Sequence, residues 1–355
     1  MPAHDAFLLV SFGGPEGPDE VMPFLENVTR GRGIPPERLA NVAEHYYAFG
    51  GVSPINQQCR DLLAAVRADF SASGLSLPVY WGNRNWTPYL TDTVRAMAGD
   101  GVRRAVAFVT SAYSSYSSCR QYLDDIERAR AAAGPEAPRI DKIGRFYDYP
   151  GFIEPFAAST RAALGALPPD LRDGAHLVFT AHSVPVAMAE ASGPGAGNRY
   201  VAELTEAARL ITERVAGDGH PWTLAYQSRS GPVSQPWLEP DVCDHLEELA
   251  KSGTKAVVVV PAGFVSDHME VRHDLDVEAA QSAGSLGLAF ARAATPGTHP
   301  MFASMITELV RERLALPDGT GPDCPADCCR YARPAREREQ PAGREREQPG
   351  GASRA

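Results

Sequence analysis

No stretch of this 355-residue chain stays apolar long enough to cross a bilayer, so an α-helical membrane span is not expected. The opening residues, MPAHDAFLLVSFGGPEG, carry no basic segment ahead of their apolar run and do not resemble an export signal. A cytoplasmic protein is expected, with peripheral membrane contact compatible with the composition. Positive charge is in deficit: 34 Lys and Arg stand against 44 Asp and Glu, a formal net charge of −10. That balance argues against a general nucleic-acid binder, which needs a basic face for phosphates. The deficit is uneven. Residues 330–355 hold seven Arg and four Glu, a local charge of +3 that leaves −13 for the rest. This tail repeats itself (AREREQPAG, REREQPGG) almost without apolar residues, and disorder is expected there. Cysteine is scarce too: six residues, scattered until a CPADCC cluster near the end. In a cytosolic chain such clustered thiols point to metal rather than to disulfides. A dinucleotide fingerprint is also wanting. The first strand ends in Gly13-Gly14-Pro15-Glu16-Gly17, without G-x-G-x-x-G spacing and interrupted by prolines.

What is present is a globular composition, 44% hydrophobic and 22% charged, in a regular alternation of elements. Apolar runs read as strands at residues 6–12, 78–81, 104–110 and 140–146, separated by helical patterns. A turn at Asp148-Tyr149-Pro150-Gly151 marks a boundary, after which strands at 177–180, 222–227 and 256–261 alternate with helices again. The expected fold class is α/β, two doubly wound Rossmann-like domains with parallel sheets. The expected division is 4–148, completed by a C-terminal helix at 300–316, then 149–299, a cysteine-rich segment at 317–330 and the tail at 331–355.

Two strand ends concentrate the chemistry. In AHLVFTAHSVP (residues 175–185) the strand delivers His182 to its carboxyl end, where the crevice of an open α/β sheet lies. Alone, His182 reads equally as a core histidine. A second strand, AVVVVP, ends the same way and is followed by Asp267, His268 and Glu270. From Glu270 the acids recur at Asp274 and Glu278, a spacing of four that aligns them on one helical face. Such a row is either a solvated acidic face or a path for protons or a cation.

Several segments in order, GGVSPI, AHSVP, YQSRSGPVSQPWLEP and GFVSDHMEVRHDLD, resemble the signatures of the ferrochelatase family over residues 7–314. The resemblance implies insertion of Fe²⁺ into a porphyrin: His182 as the base for the pyrrole protons, Glu270 as its partner, and both receiving the metal. It implies that Asp274 and Glu278 extend a proton or metal path, and that His268 and Asp267 support the site. Porphyrin contacts map onto Tyr46, Ser53 and Arg84, with Arg30 and Arg32 as further anchors suited to propionates. Tyr113 and Trp237 either line the cleft or close the core. Phe12 stands where some relatives carry Tyr and others Met, on the ring face opposite His182; it offers no lone pair to iron, and it reads equally as simple packing at a strand end.

Some members of that family hold a 2Fe–2S cluster, and the resemblance maps its ligands onto Cys119, Cys324, Cys328 and Cys329. A zinc site with the same thiolates and exposed redox-active thiols are the rival readings. Cys59 and Cys243 read as small core residues. Among substrates, the resemblance to compact bacterial enzymes favours coproporphyrin III over protoporphyrin IX. Two competing functions share the architecture: a cobalt or nickel chelatase for a reduced tetrapyrrole, and a haem-binding or trafficking module without catalysis. A monomer is expected.

Overall fold

The computed structural model describes residues 4–31, 33–216, 219–231, 234–316, 325 and 327–331. Arg32, Cys324 and the arginine-rich tail lie outside them. The first half runs β1 (Ala6–Ser11), α1 (Pro18–Thr29), α2 (Pro36–Tyr47), α3 (Ile55–Ala72), β2 (Val79–Asn83), α4 (Leu90–Gly99) and β3 (Arg104–Val109). A π-helical turn, Tyr116–Arg120, then leads into α5 (Gln121–Ala133) and β4 (Arg139–Lys142). The second half runs α6 (Pro150–Ala166), β5 (His176–His182), α7 (Val186–Glu190), α8 (Arg199–Ala216), β6 (Trp222–Gln227), α9 (Val242–Lys251) and β7 (Ala256–Val260). It closes with α10 (Met269–His273), a π-helical segment (Asp274–Ala279), α11 (Ala280–Ser285) and β8 (Ala289–Arg292). The last helix, α12 (Pro300–Ala315), packs against α3 of the first half and α6 of the second.

Both sheets are parallel and share one strand order, β2-β1-β3-β4 and β6-β5-β7-β8. The two-residue period of a strand explains why the central strands place apolar residues on both of their faces. In β1, Phe7 and Leu9 face one cluster while Ala6, Leu8 and Val10 face the opposite one. In β7, Val258 and Val260 point inward and Val257 and Val259 outward. The inner cluster joins the halves: Phe7 and Leu9 share it with Phe179, Phe152, Phe156, Phe302 and Ile306. Each such side chain contributes about 1.5–3 kcal/mol on burial, so this cluster dominates the stability of the fold.

Three local expectations differ. The strand expected over 140–146 ends at Lys142, and Ile143 and Phe146 enter the core from irregular chain. Strand β8 was not anticipated; all four of its residues are partly exposed, so it lacks an uninterrupted apolar run. The single helix expected to carry the acids is three pieces with π geometry at Asp274–Ala279. No described helix is long and apolar enough to cross a membrane. In each sheet the strand order reverses between neighbours, at β1/β3 and at β5/β7, and the crevice opens beyond the carboxyl ends there.

Candidate active site

The site is built where β5 and β7 end side by side. Beyond β7 the chain crosses over β5 at Gly263, whose N–H donates to the Thr180 carbonyl at 2.9 Å. A Cβ at that glycine would lie 2.6 Å from the Ala181 Cα, so only glycine permits the crossing. This places the Asp267–Glu270 stretch beside His182. The His182 Nδ1 lies 2.5 Å from the Ser183 carbonyl oxygen. Because a carbonyl only accepts, Nδ1 carries the proton and Nε2 keeps its lone pair in the neutral ring. That Nε2 faces Glu270 Oε2 at 3.6 Å. The two side chains are 33% and 50% exposed, open enough for a large substrate to reach both.

His268 and Asp267 stand behind this pair. The His268 Nδ1 is 3.9 Å from the same Glu270 oxygen, and its ring packs edge-on to Phe264. Burial holds the His268 imidazole below its ordinary pKa against the pull of Glu270, and the nearby His182 pushes the same way as burial. Asp267 accepts from the Arg292 guanidinium at 3.0 Å and from Thr295, while its N–H donates to Gln58. It is a strut for the turn.

The acids lead away from Glu270 in sequence. Asp274 accepts from the Ser228 hydroxyl and from Gln227 Nε2, and the same Gln227 amide also approaches the Glu270 carbonyl at 3.4 Å. Burial, reinforced by Glu270 and Glu278, pushes the Asp274 carboxyl up to about 7 despite those hydrogen bonds. Glu278 is mostly open to solvent, and His273 Nδ1 lies 3.7 Å from Asp274 and 3.8 Å from Glu278. His273, Asp274 and Glu278 thus offer three potential metal-ligating atoms within 4.8 Å of one another. Across from them His45 of α2 stacks on the His273 ring at 3.6 Å.

Next to the Met269–Glu270 stretch, Phe24 brings Phe12, Tyr46 and Trp86 together at centroid distances of 6.4, 6.0 and 5.9 Å. Phe12 remains 36% exposed, so this wall presents an aromatic face. Tyr46 packs in one cluster with Met269, and burial together with the nearby Glu270 charge raises its phenol pKa. Ser53 is buried under Gly14, at the base of the same wall. Arg84 lies over the Phe12 and Tyr122 rings and is ion-paired with Asp125. Arg30 is exposed at the end of α1.

The thiols converge away from the cleft. Cys119, Cys328 and Cys329 are buried; the Cys328 and Cys329 sulfurs are 3.6 Å apart, and Cys119 is near enough to act on Cys329 by charge. The Gly193 N–H donates to Cys329 Sγ at 3.2 Å. Burial pushes the Cys329 thiol up to about 12, so without a metal it stays protonated. Tyr331 beside them meets the Tyr116 ring and accepts from Gln235, which seats the C-terminal segment across both halves. The described sulfurs suit a thiolate-held iron–sulfur or zinc centre; the fourth expected ligand, Cys324, lies outside the described residues.

A model of the ferrochelatase family matches residues 4–314. The chain belongs to the ferrochelatase family. It is 53% identical to a coproporphyrin III ferrochelatase of Streptomyces coelicolor over 359 residues, covering 94% of this chain and 95% of that protein. It is 57% identical to one of Nocardia farcinica over 322 residues, covering 90% of each. Among solved structures, SirB from Bacillus subtilis with Fe³⁺ superposes with a TM-score of 0.52 at 14% identity, over 89% of this chain and 98% of that one. That likeness concerns the fold, the same pair of doubly wound units.

For a ferrochelatase fold, the residues picked from the sequence fall into distinct groups. His182, Glu270, His268 and Asp267 come together at one strand pair, with Asp274 and Glu278 leading outward. Tyr113 does not line the cleft: it is 2% exposed in the inner core, and its hydroxyl donates to the Ala262 carbonyl at 2.7 Å. Trp237 is partly buried against Gly231 and bridges Pro185, just past His182. Arg84 serves Asp125 within its own half. Gln227, Ser228, His45 and Trp86 were not singled out, and His273 stood out only as one of the titratable residues following the AVVVVP strand. The first two lie inside YQSRSGP, whose position at the end of β6, paired with β5 at His182, was their signal.

Proposed function

We propose that this chain is a coproporphyrin III ferrochelatase, a lyase-type metal chelatase that inserts Fe²⁺ to give iron coproporphyrin in haem biosynthesis. The observation that carries the reading is the Nε2 of His182 facing Glu270 Oε2 at 3.6 Å, both side chains open to solvent. Porphyrin plus Fe²⁺ gives iron porphyrin plus two protons, so the site needs two acceptors on the reacting ring. His182 Nε2 takes one proton and Glu270, on the same side, takes the other or receives the entering iron. Asp274 and Glu278 pass protons out or the cation in. The Phe12, Tyr46 and Trp86 wall holds the opposite face of the macrocycle, and binding contacts there supply the distortion that exposes the nitrogen lone pairs. Relatives named as coproporphyrin III ferrochelatases, alike over nine-tenths of the chain, support that substrate over protoporphyrin IX. Arg30 and Ser53 are the proposed partners of its propionates, with Arg32, which lies outside the described residues, as a further candidate; Arg84 could join them only by giving up its ion pair with Asp125. The half-exposed His182–Glu270 pair favours catalysis over a carrier without chemistry.

The resident cofactor in this reading is a 2Fe–2S cluster on Cys119, Cys324, Cys328 and Cys329. Bound there, it would supply covalent cross-linking of the C-terminal segment to the Tyr116–Arg120 turn and one-electron redox chemistry. The protein is proposed to act in the cytoplasm as a monomer. Replacing His182 with Ala tests the reading: iron insertion should disappear while coproporphyrin still binds in an absorption titration. Unchanged turnover would overturn it.

A further inference from the structure

Resting on His182 as the base, we infer that Tyr200 is a positioning residue for this imidazole, holding the main chain from which it projects. The pairing of β5 with β7 stops at Phe179, so Thr180, Ala181 and His182 extend past the end of the neighbouring strand. Carbonyls two residues apart on a strand point to the same side. The Thr180 carbonyl, on the β7 side, is satisfied by the Gly263 N–H as the chain crosses over. The His182 carbonyl points the same way, beyond that crossing, and the Tyr200 hydroxyl donates to it at 2.9 Å. Tyr200 thus replaces the strand that is missing there.

The tyrosine is itself fixed at both ends. Its N–H donates to the Ser192 hydroxyl at 2.8 Å, and its ring, 3% exposed, meets Tyr113 edge-on at 6.4 Å. Gly193, next to Ser192, has a φ of +83°, and a Cβ there would collide with Arg199 Cγ, so the turn leading into α8 needs glycine at this position. The peptide that Tyr200 holds matters because the ring is tied to its neighbour: Nδ1–H donates to the Ser183 carbonyl. If the 182–183 peptide rotates, the imidazole turns with it and Nε2 leaves its place opposite Glu270. A neutral hydrogen bond of this kind contributes about 0.5–1.5 kcal/mol, worth roughly two- to tenfold in rate if it is expressed in orientation.

The test is Tyr200→Phe, which keeps the ring and removes the hydroxyl. The expected result is a kcat for iron insertion lower by roughly two- to tenfold, with KM for coproporphyrin III unchanged and the ¹⁵N ring signals of His182 shifted. Ser192→Ala, which loosens Tyr200 without touching its ring, should lower kcat in the same direction by a smaller factor and serves if Tyr200→Phe does not fold. A lower melting temperature with unchanged kcat and unmoved His182 signals would reduce Tyr200 to a packing residue and overturn the inference. His182→Ala run alongside separates the two ideas. Its retained activity would refute the base itself, whereas its inactivity beside a fully active Tyr200→Phe would refute the positioning role alone.

Discussion

Replacing Asp274 with Asn should make the protein more stable at pH 8 and less active, because the site keeps a charge where the fold disfavours it. The Asp274 side chain is 16% exposed, and burial with Glu270 and Glu278 nearby raises its carboxyl from 3.8 to about 7. A folded-state pKa above the unfolded one favours the protonated form in the fold. Its contribution to stability is therefore complete below about 3.8 and is lost as pH rises to about 7. At about 1.4 kcal/mol per unit, the full cost above pH 7 is at most about 4–5 kcal/mol. Asparagine has no charge to bury, yet its oxygen accepts more weakly from Ser228 and Gln227, so a net gain of about 1–3 kcal/mol at pH 8 is expected. The gain has a signature. It should shrink by about 1–2 kcal/mol between pH 8 and pH 5.5, where wild type is already largely protonated at this site. Melting curves of both proteins at the two pH values read this as a gap narrowing by roughly 2–5 °C on acidification. A variant less stable than wild type at pH 8, or one whose advantage ignores pH, would refute the reasoning.

Two further outcomes follow from particular groups. At the opposite end of the second sheet, His176 and His245 share the Thr223 hydroxyl, and burial lowers both, His176 to about 4. Folded pKa values below the unfolded 6.5 mean that stability is lost as pH falls from about 6.5 toward 4; His176→Gln should flatten urea midpoints across that window, and an unchanged slope would exclude this network. Purified protein should be red-brown with charge-transfer bands, and Cys119→Ser should bleach it; a colourless protein with stoichiometric zinc would assign the thiols to another metal.

The architecture was legible because the central strands carry short, nearly continuous apolar runs bounded by turn residues, as expected of a sheet covered on both faces. His182 and Glu270 could be picked because each follows such a strand, and the sheet order then brings the two strand ends together. The edge strand β8 escaped because its four residues are partly exposed and carry no run. The sequence leaves Tyr113 open between cleft and core for a related reason: an aromatic in a polar loop gives no sign of which side it turns to, and here the loop folds back into the inner core. The acid row was found by its spacing of four, while the π-helical segment that carries Asp274 and Glu278 depends on tertiary contacts that spacing does not encode. Gln227 and Ser228 were within a quoted motif, but their hold on Asp274 becomes visible only once β6 lies beside β5.

The central claim is tested most directly by anaerobic Fe²⁺ insertion followed by absorption, with coproporphyrin III and protoporphyrin IX side by side. The expected result is insertion into both or the first alone, with a clear preference for coproporphyrin III. Tight binding of both porphyrins with insertion into neither would contradict it and leave this chain a carrier of tetrapyrroles.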